Sequence, residues 1–426
     1  MKAAGKMVRI YSVGLVLIVV LLGGVSFEAI AADTIKIGLL EARSGPLEYT
    51  GRLWYGALEF VVDEQNAKGG LFGKKIEILF EDSEWKPDVA TRKAKKLILE
   101  DKVDIICSGG NSAVSIALNK LATDYKMIYI NHAANANDVQ GREFSRYGFR
   151  VCQNAHNLFA GMAVAMAETP YRRPYILCLD NVVGYSFSDS FKKGLSANLP
   201  DVKIAGEDYV PLGGTKDFGP YITKIIAAKA DVVVSGLFGP DLISMVKQSR
   251  TMGLKVPFPF FTHQVEPYQN DELKDSAVDL HVITSYDMGI KTPENEELVR
   301  RFHEKHKNDK DFLLWWPFNY CGTAIIGWKM TLAAYEKAGS LDPEKLIPIY
   351  EGFQYKSPVG LWTMRKCDHQ VLLPMYSGVI QGGPNPYYNG SIRPDVKFPW
   401  LGPNLKMLPA EKVALPATPD YNPRCP

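Results

Sequence analysis

Between Thr34 and Met252 the chain alternates short apolar runs with stretches of helical period, and it does so in two successive series. The first opens with a buried strand over Thr34–Leu40 and a helix over Gly51–Lys68, where Trp54, Ala57, Leu58, Val61 and Val62 recur at helical spacing and Gly69-Gly70 supplies a stop. A strand over Lys75–Phe80 precedes a helix over Asp88–Glu100 that carries Ala90, Ala94, Leu97 and Ile98 on one face. Short strands over Val103–Cys107 and Met127–Ile130 flank a helix over Ser112–Tyr125. The second series restarts after Asn154 with a helix to Glu168 that ends before Pro170. Strands are then expected at Tyr175–Leu179, Val202–Val210 and Asp231–Ser235, and helices at Ser186–Asn198, Phe218–Lys229 and Pro240–Met252, the last opened by its proline. Strands separated by helices of this length pair in parallel sheets covered on both faces. A chain of 426 residues exceeds one ordinary core. The two series therefore predict an α/β protein of two doubly wound lobes, each a three-layer α/β/α sandwich.

Beyond Tyr286 the pattern changes. Helices are predicted over Glu294–Lys307, Pro317–Lys337 and Pro343–Gly352, and strands over Val359–Met364 and Met375–Ile380. The last forty or so residues are rich in proline, glycine and asparagine and are expected to wrap the surface without regular structure. No repeat has the period of a solenoid.

The N-terminus bears on compartment. Lys2, Lys6 and Arg9 precede an almost wholly apolar run from Val13 to Leu22, and Ala29-Ile30-Ala31 forms an A-x-A cleavage signal before Ala32-Asp33. A membrane span needs about 20 apolar residues, so export with cleavage is expected rather than an anchor. No cysteine occurs before Cys107, which argues against a lipid-anchored form. Loss of residues 1–31 removes Lys2, Lys6, Arg9 and Glu28, so the formal net charge falls from +2 to zero. A neutral chain of this kind gives no footprint for a nucleic-acid partner. The six cysteines, at 107, 152, 178, 321, 367 and 425, form no CxxC pair. An oxidising compartment allows one or two disulfides, whose pairing the sequence does not assign. Cys107 and Cys178 lie in strand-like runs and are expected as buried thiols.

Ser44-Gly45-Pro46, Gly51 and Asn66-Ala67-Lys68-Gly69-Gly70 resemble the type I periplasmic solute-binding proteins of ABC importers, in their leucine/isoleucine/valine-binding branch. Glu81-Asp82, Thr215-Lys216-Asp217-Phe218, Ala230-Asp231-Val232-Val233, Gly253-Leu254, Ala338-Gly339-Ser340, Ser357-Pro358-Val359-Gly360 and Asp368-His369-Gln370 continue the resemblance in the family's order. It implies the type I periplasmic binding protein fold, with a three-strand hinge crossed near Val151–Asn154, Tyr286–Lys291 and Phe353–Pro358. Lobe one would be residues 33–152 plus 288–357, lobe two 153–287 plus 358–385, and 386–426 a C-terminal extension. The implied protein is a periplasmic monomer that captures a small amino acid or organic carboxylate in the inter-lobe cleft and delivers it to a membrane permease. It is not an enzyme, and no cofactor or metal is implied. A ligand-sensing module on the same fold is the alternative, and a periplasmic hydrolase a distant third.

Open α/β sheets bind ligands at the carboxyl ends of their strands. Gly109, Gly110, Asn111 and Ser112 follow a strand and open a helix, which suits either an ordinary capped turn or contact with a carboxylate; the resemblance implies the contact. Ala133, Ala134 and Asn135 follow the next strand and match a second ligand-contacting loop, where relatives often carry Ser or Thr at the position of Asn135. His132 beside them reads equally as structural. The resemblance further implies aromatic walls from Tyr185 and Phe238, a cover from Tyr49 or Thr50, and weaker roles for Tyr286 and Tyr320. One departure stands out. Gln264 occupies the place where amino-acid binders of this family carry an acid for the ammonium group, with Glu266 two residues on. A second is Glu84, where some relatives carry a cysteine bridged to one near Cys107.

Enzyme motifs are weak. Gly184-Tyr185-Ser186-Phe187-Ser188 fails the nucleophile elbow at its last position. No phosphate-binding glycine loop follows a strand. His303-Glu304-Lys305-His306 spaces its histidines one residue short of H-E-x-x-H, on a helix face crowded with Arg300, Arg301 and Lys307.

Overall fold

The computed structural model describes residues 34–213, 215–255, 258–263, 267–309, 314–382, 401 and 405–426. The first series of strands forms one parallel sheet: β1 (Ile35–Glu41), β2 (Ile76–Asp82), β3 (Ile105–Ser108), β4 (Tyr129–Asn131) and β5 (Gly148–Arg150), in the order β2-β1-β3-β4-β5. Ile37 of β1 sits between Ile78 and Ile105, the central register of a strand buried on both faces. The connecting helices are α1 (Glu48–Ala67), α2 (Pro87–Leu99) and α3 (Ser112–Tyr125). The predicted stripe of α2, Ala90, Ala94, Leu97 and Ile98, is its buried face. Asn111 caps α3 by accepting from Ala113 N at 2.8 Å, and Lys126 ends it at φ 51°.

The chain then crosses to a second sheet through α4 (Ala155–Met166), which opens on a reciprocal box between Asn154 and Asn157. This sheet holds β6 (Pro174–Leu179), β7 (Gly206–Val210), β8 (Val232–Ser235), β9 (Phe260–Thr262) and β10 (Leu280–Thr284), with α5 (Val182–Asn198), α6 (Gly219–Ala227), α7 (Gly239–Thr251) and α8 (Pro267–Leu273) between them. The helices α9 (Pro293–His306), α10 (Asn319–Ala338) and α11 (Pro343–Tyr350) follow, and α10 packs on α1 of the first lobe. A third, small sheet is formed by β11 (Gln354–Ser357), β12 (Gly360–Met364) and β13 (Val371–Leu372). The chain then returns to the second sheet with β14 (Met375–Val379) and β15 (Lys406–Leu408), and closes with α12 (Ala410–Val413). The second sheet runs β15-β14-β10-β9-β8-β6-β7, with β14 and β15 antiparallel. The molecule thus has the predicted two-lobed, doubly wound α/β architecture. Of residues 358–385, assigned from the sequence to lobe two, β12 and β13 lie in the third sheet and β14 joins the second.

Three expectations are corrected. Helix α5 begins at Val182, not Ser186, because Asn181 caps it by accepting from Gly184 N at 3.0 Å. Val182, Val183 and Gly184 are poor helix formers and hid the first turn. The C-terminal stretch is not irregular: β15 pairs with β14 and α12 packs on α4, where Asn157 Nδ2 donates to Val413 O at 2.9 Å. Tyr421 Oη donates to Asn137 O at 3.1 Å and Asn422 Nδ2 to Gln140 O at 2.9 Å, so the tail runs from the edge of the second sheet to a loop of the first lobe. Lastly, β7 begins at Gly206 rather than Val202. One disulfide, Cys367–Cys425, pins the end of the tail, while Cys107, Cys152, Cys178 and Cys321 are buried free thiols. Among the described residues no helix is long and apolar enough to cross a membrane.

Candidate functional site

In each lobe the chain winds one way and then the other from its first strand. The reversal falls between β1 and β3 in the first lobe and between β6 and β8 in the second. A crevice opens outside the carboxyl ends of strands at such a point. The two crevices face each other across a cavity of about 390 Å³.

The lobe-one wall is made by Thr50 and Trp54 of α1, Trp85, the segment Gly110–Ala113, Ala133, Asn135 and Tyr320. Trp85 reaches the cavity through an unusual turn: Glu84 and Trp85 both lie at positive φ, 48° and 55°. The turn is held by Asp82 Oδ1 accepting from Glu84 N at 2.9 Å, by Ser83 Oγ accepting from Trp85 N at 3.3 Å, and by Asn111 Nδ2 donating to Trp85 O at 2.7 Å. Backbone strain kept in place by this many bonds marks a position built for a task. Gly110 is glycine for space: a Cβ there would lie 2.7 Å from Trp54 Cζ3, 2.8 Å from Trp85 Cζ2 and 2.9 Å from Glu41 Oε2. Ser112 Oγ accepts from Ala136 N at 3.1 Å. The Asn135 amide is oriented so that its oxygen accepts from Tyr320 Oη at 2.7 Å and its nitrogen donates to Gln153 O at 2.9 Å and Ala133 O at 3.2 Å.

The lobe-two wall is made by Asp180, Asn181, Val182 and Val183 at the start of α5, by Phe187, Leu212 and His263, and by Phe238 at the start of α7. His263 is buried against Phe159, Phe187 and Phe238. Burial pushes its pKa down to about 3, so the imidazole is neutral. Asp180 is exposed at the rim and accepts from Tyr185 Oη. The lobes meet across the cleft: the rings of Trp85 and Phe238 are 6.1 Å apart, and Asn319 Nδ2 on α10 donates to His263 O at 3.0 Å. Asn137 Nδ2 likewise donates to Ser190 Oγ on α5 at 3.0 Å.

Of the residues singled out from the sequence, Thr50, Gly110, Asn111, Ser112, Ala133, Asn135 and Phe238 come together on this cavity, with Tyr320. The others lie elsewhere. Tyr49 is buried in a small cluster with Leu53. Gly109 backs onto Ala133 N and the His132 ring, and Ala134 is buried with its carbonyl turned to Asn131 and Arg150. Tyr185 stands half-exposed outside the lining, and Tyr286 is fully buried with its ring on the backbone of Gly322 in α10. Gln264 and Glu266 fall outside the described residues. Sequence reasoning missed Trp54, Trp85, Phe187 and His263 as lining, and Glu41 behind it. Trp54 falls on the helical stripe and reads as core, and no pattern distinguishes a turn aromatic such as Trp85 from a surface one.

No group of His, Cys, Asp and Glu among the described residues could hold a metal ion. What the geometry defines is a two-lobed binding protein with an aromatic-walled cavity at its hinge. Residues 34–384 match the family model described as periplasmic binding protein, and the chain belongs to that family. It is similar to the Leu/Ile/Val-binding protein homolog 4 of Brucella abortus (strain 2308), 26% identical over 358 residues that cover 81% of this chain and 83% of the relative. Its fold is that of the closed leucine-, isoleucine-, valine-, threonine- and alanine-binding protein of Brucella ovis, with TM-score 0.78 and 23% identity, covering 93% of this chain and 99% of that one. A solute-binding protein of an ABC transporter from Rhodopseudomonas palustris BisB5, solved with 3,4-dihydroxybenzoic acid, matches at TM-score 0.74 and 22% identity, covering 82% of this chain and 94% of that one. The protein is therefore a periplasmic solute-binding protein of the type I kind, similar to the Leu/Ile/Val-binding proteins.

Proposed function

We propose that the chain is the receptor for a small carboxylate-bearing organic molecule with an apolar body, an amino acid or an aromatic acid, which it binds without turnover and hands to a membrane permease. The observation that carries this is the cavity of about 390 Å³ whose walls supply Trp54, Trp85, Phe187 and Phe238 from both lobes. Aromatic faces on two sides fit a planar or branched apolar body. Two helix starts, at Asn111–Ser112 and Asn181–Val182, border the same void and favour a carboxylate over a neutral end group. The relatives fit this range: one is named for branched-chain amino acids and one was solved with a dihydroxybenzoic acid. Export with cleavage after Ala31, a monomeric state and hinge closure on the ligand belong to the same proposal.

A thermal-shift screen of residues 32–426 against branched-chain and aromatic amino acids, aromatic acids, short aliphatic acids and amides tests it. Ligand at about 100 times its Kd adds about 2.7 kcal/mol of stability, enough for a clear shift. A panel without any shift overturns the proposal. Product formation from esters or amides would make the protein a hydrolase instead.

A further inference from the structure

We propose that Glu41 sets the ligand class at the lobe-one floor of the cavity, selecting a ligand whose end there carries a hydrogen-bond donor, an ammonium or a hydroxyl group. This deepens the receptor reading above and rests on it. Glu41 is the last residue of β1, at the point where the first lobe reverses its winding, and it is 1% exposed. Its two carboxylate oxygens lie 3.2 and 3.3 Å from Gly110 N, and Oε1 lies 3.2 Å from His132 Nε2. Neither Lys nor Arg pairs with it among the described residues. A Cβ on Gly110 would lie 2.9 Å from Oε2, 2.7 Å from Trp54 Cζ3 and 2.8 Å from Trp85 Cζ2, so Oε2 borders the space left beside this glycine, behind the lining of the void.

A carboxylate accepts about four hydrogen bonds, and the contacts from Gly110, His132 and the Gly109 backbone leave part of that capacity unfilled. Burial of a carboxylate is costly, and it raises the pKa of this group. A donor on the ligand would relieve that cost, whereas a bare carboxylate at the same end would add a like charge. A purely structural Glu41, bracing Gly110 and His132, would affect every ligand alike. That difference makes the proposal testable.

Titration calorimetry on residues 32–426 would compare two matched pairs, leucine against isocaproate and para-hydroxybenzoate against benzoate, each differing only in the donor. In the wild type the donor-bearing member of at least one pair is expected to bind about tenfold or more tightly. In Glu41→Gln that ratio falls towards one, and the acid lacking the donor binds more tightly than it does to the wild type. Glu41→Ala, read by the same ratio, serves if the glutamine variant fails to fold. The pair that responds tells ammonium from hydroxyl. A ratio unchanged in the variants, or equal weakening of both members, reduces Glu41 to a brace and overturns the proposal. A wild type that binds none of the four acids would instead overturn the receptor reading, and this inference with it.

Discussion

The two walls of the cleft are built differently. On the lobe-one side the polar side chains are spent on the protein: Asn111 on Ala113 N and Trp85 O, Ser112 on Ala136 N, Asn135 on Tyr320 and two carbonyls. On the lobe-two side Phe187, Leu212, Phe238 and a neutral His263 present mostly apolar surface, and the polar groups sit at the start of α5. Polar side chains committed to their own loops fix geometry; a surface of rings and branched carbons adapts to whatever fills the space. On the receptor reading proposed above, lobe one is the rigid template and lobe two the wall that closes on the ligand. Truncations in the first should show up in stability, and truncations in the second in affinity.

The strongest test is Arg150, at the end of β5. It is fully buried, and its Nε donates to Gln370 Oε1 at 2.5 Å while Nη1 donates to Ala134 O at 3.1 Å and Ala136 O at 2.7 Å. Arg150 thus holds the Ala133–Asn135 loop from behind. Arg150→Leu leaves three buried acceptors short of a donor and is expected to lose about 3–5 kcal/mol in urea unfolding. A loss below about 1 kcal/mol would mean that the loop is held by other contacts, and the template idea would fail. Next in size is the disulfide. Cys367 lies in the turn that carries Gln370, and Cys425 fastens the tail to it. Cys425→Ser should lower stability by about 2–4 kcal/mol, and a reductant should reproduce the loss on the wild type and leave the variant unmoved.

A paired substitution sharpens the contrast. Asn135→Ala removes the amide's hydrogen bonds to Tyr320 Oη, Gln153 O and Ala133 O, and is expected to lose about 1–3 kcal/mol of stability. Phe238→Ala touches a half-buried ring at the start of α7. It should leave the unfolding midpoint nearly in place while weakening ligand binding by about tenfold or more. Calorimetric affinities and melting curves on the two variants decide the matter, and an exchange of the two effects would invert the assignment of the walls.

The sheets and most helices were legible because burial imposes a period: the stripe of α2 and the two-faced apolar run of β1 need no partner to be recognised. The lobe-one loops were singled out by the family resemblance, since glycines and capping residues after a strand suit an ordinary turn equally well. What stayed hidden depends on distant contacts. Arg150 gave no signal because its partners lie far along the chain, in Ala134, Ala136 and Gln370. Glu41 gives no signal as a lone carboxylate just past the predicted strand, yet the sheet order places it under Gly110. Trp85 depends on two consecutive left-handed residues, a conformation that composition does not announce. The start of α5 was masked by its own β-branched pair, and with it Val182 and Val183 on the cavity wall.

The smallest predicted effect is a difference in how the walls respond to acid. Burial holds His263 at about 3, and His156 and His281, also in the second lobe, at about 4. An unfolded histidine titrates near about 6.5. As pH falls through that value the unfolded chain takes up protons that the folded one refuses. The stability these residues contribute is therefore fully present above about 6.5 and is lost as the pH falls towards 4. Glu41 in the first lobe has the opposite sign: its raised pKa means that the folded state takes up a proton before the unfolded one, so acid relieves it. From about pH 7 to about pH 6 each histidine costs less than about 1 kcal/mol, and the melting temperature should fall gently. His263→Gln should flatten that fall, and Glu41→Gln should steepen it at lower pH by removing the opposing group. A melting temperature that rises on acidification, or a slope that neither variant changes, would show that the two walls do not divide the titration in this way.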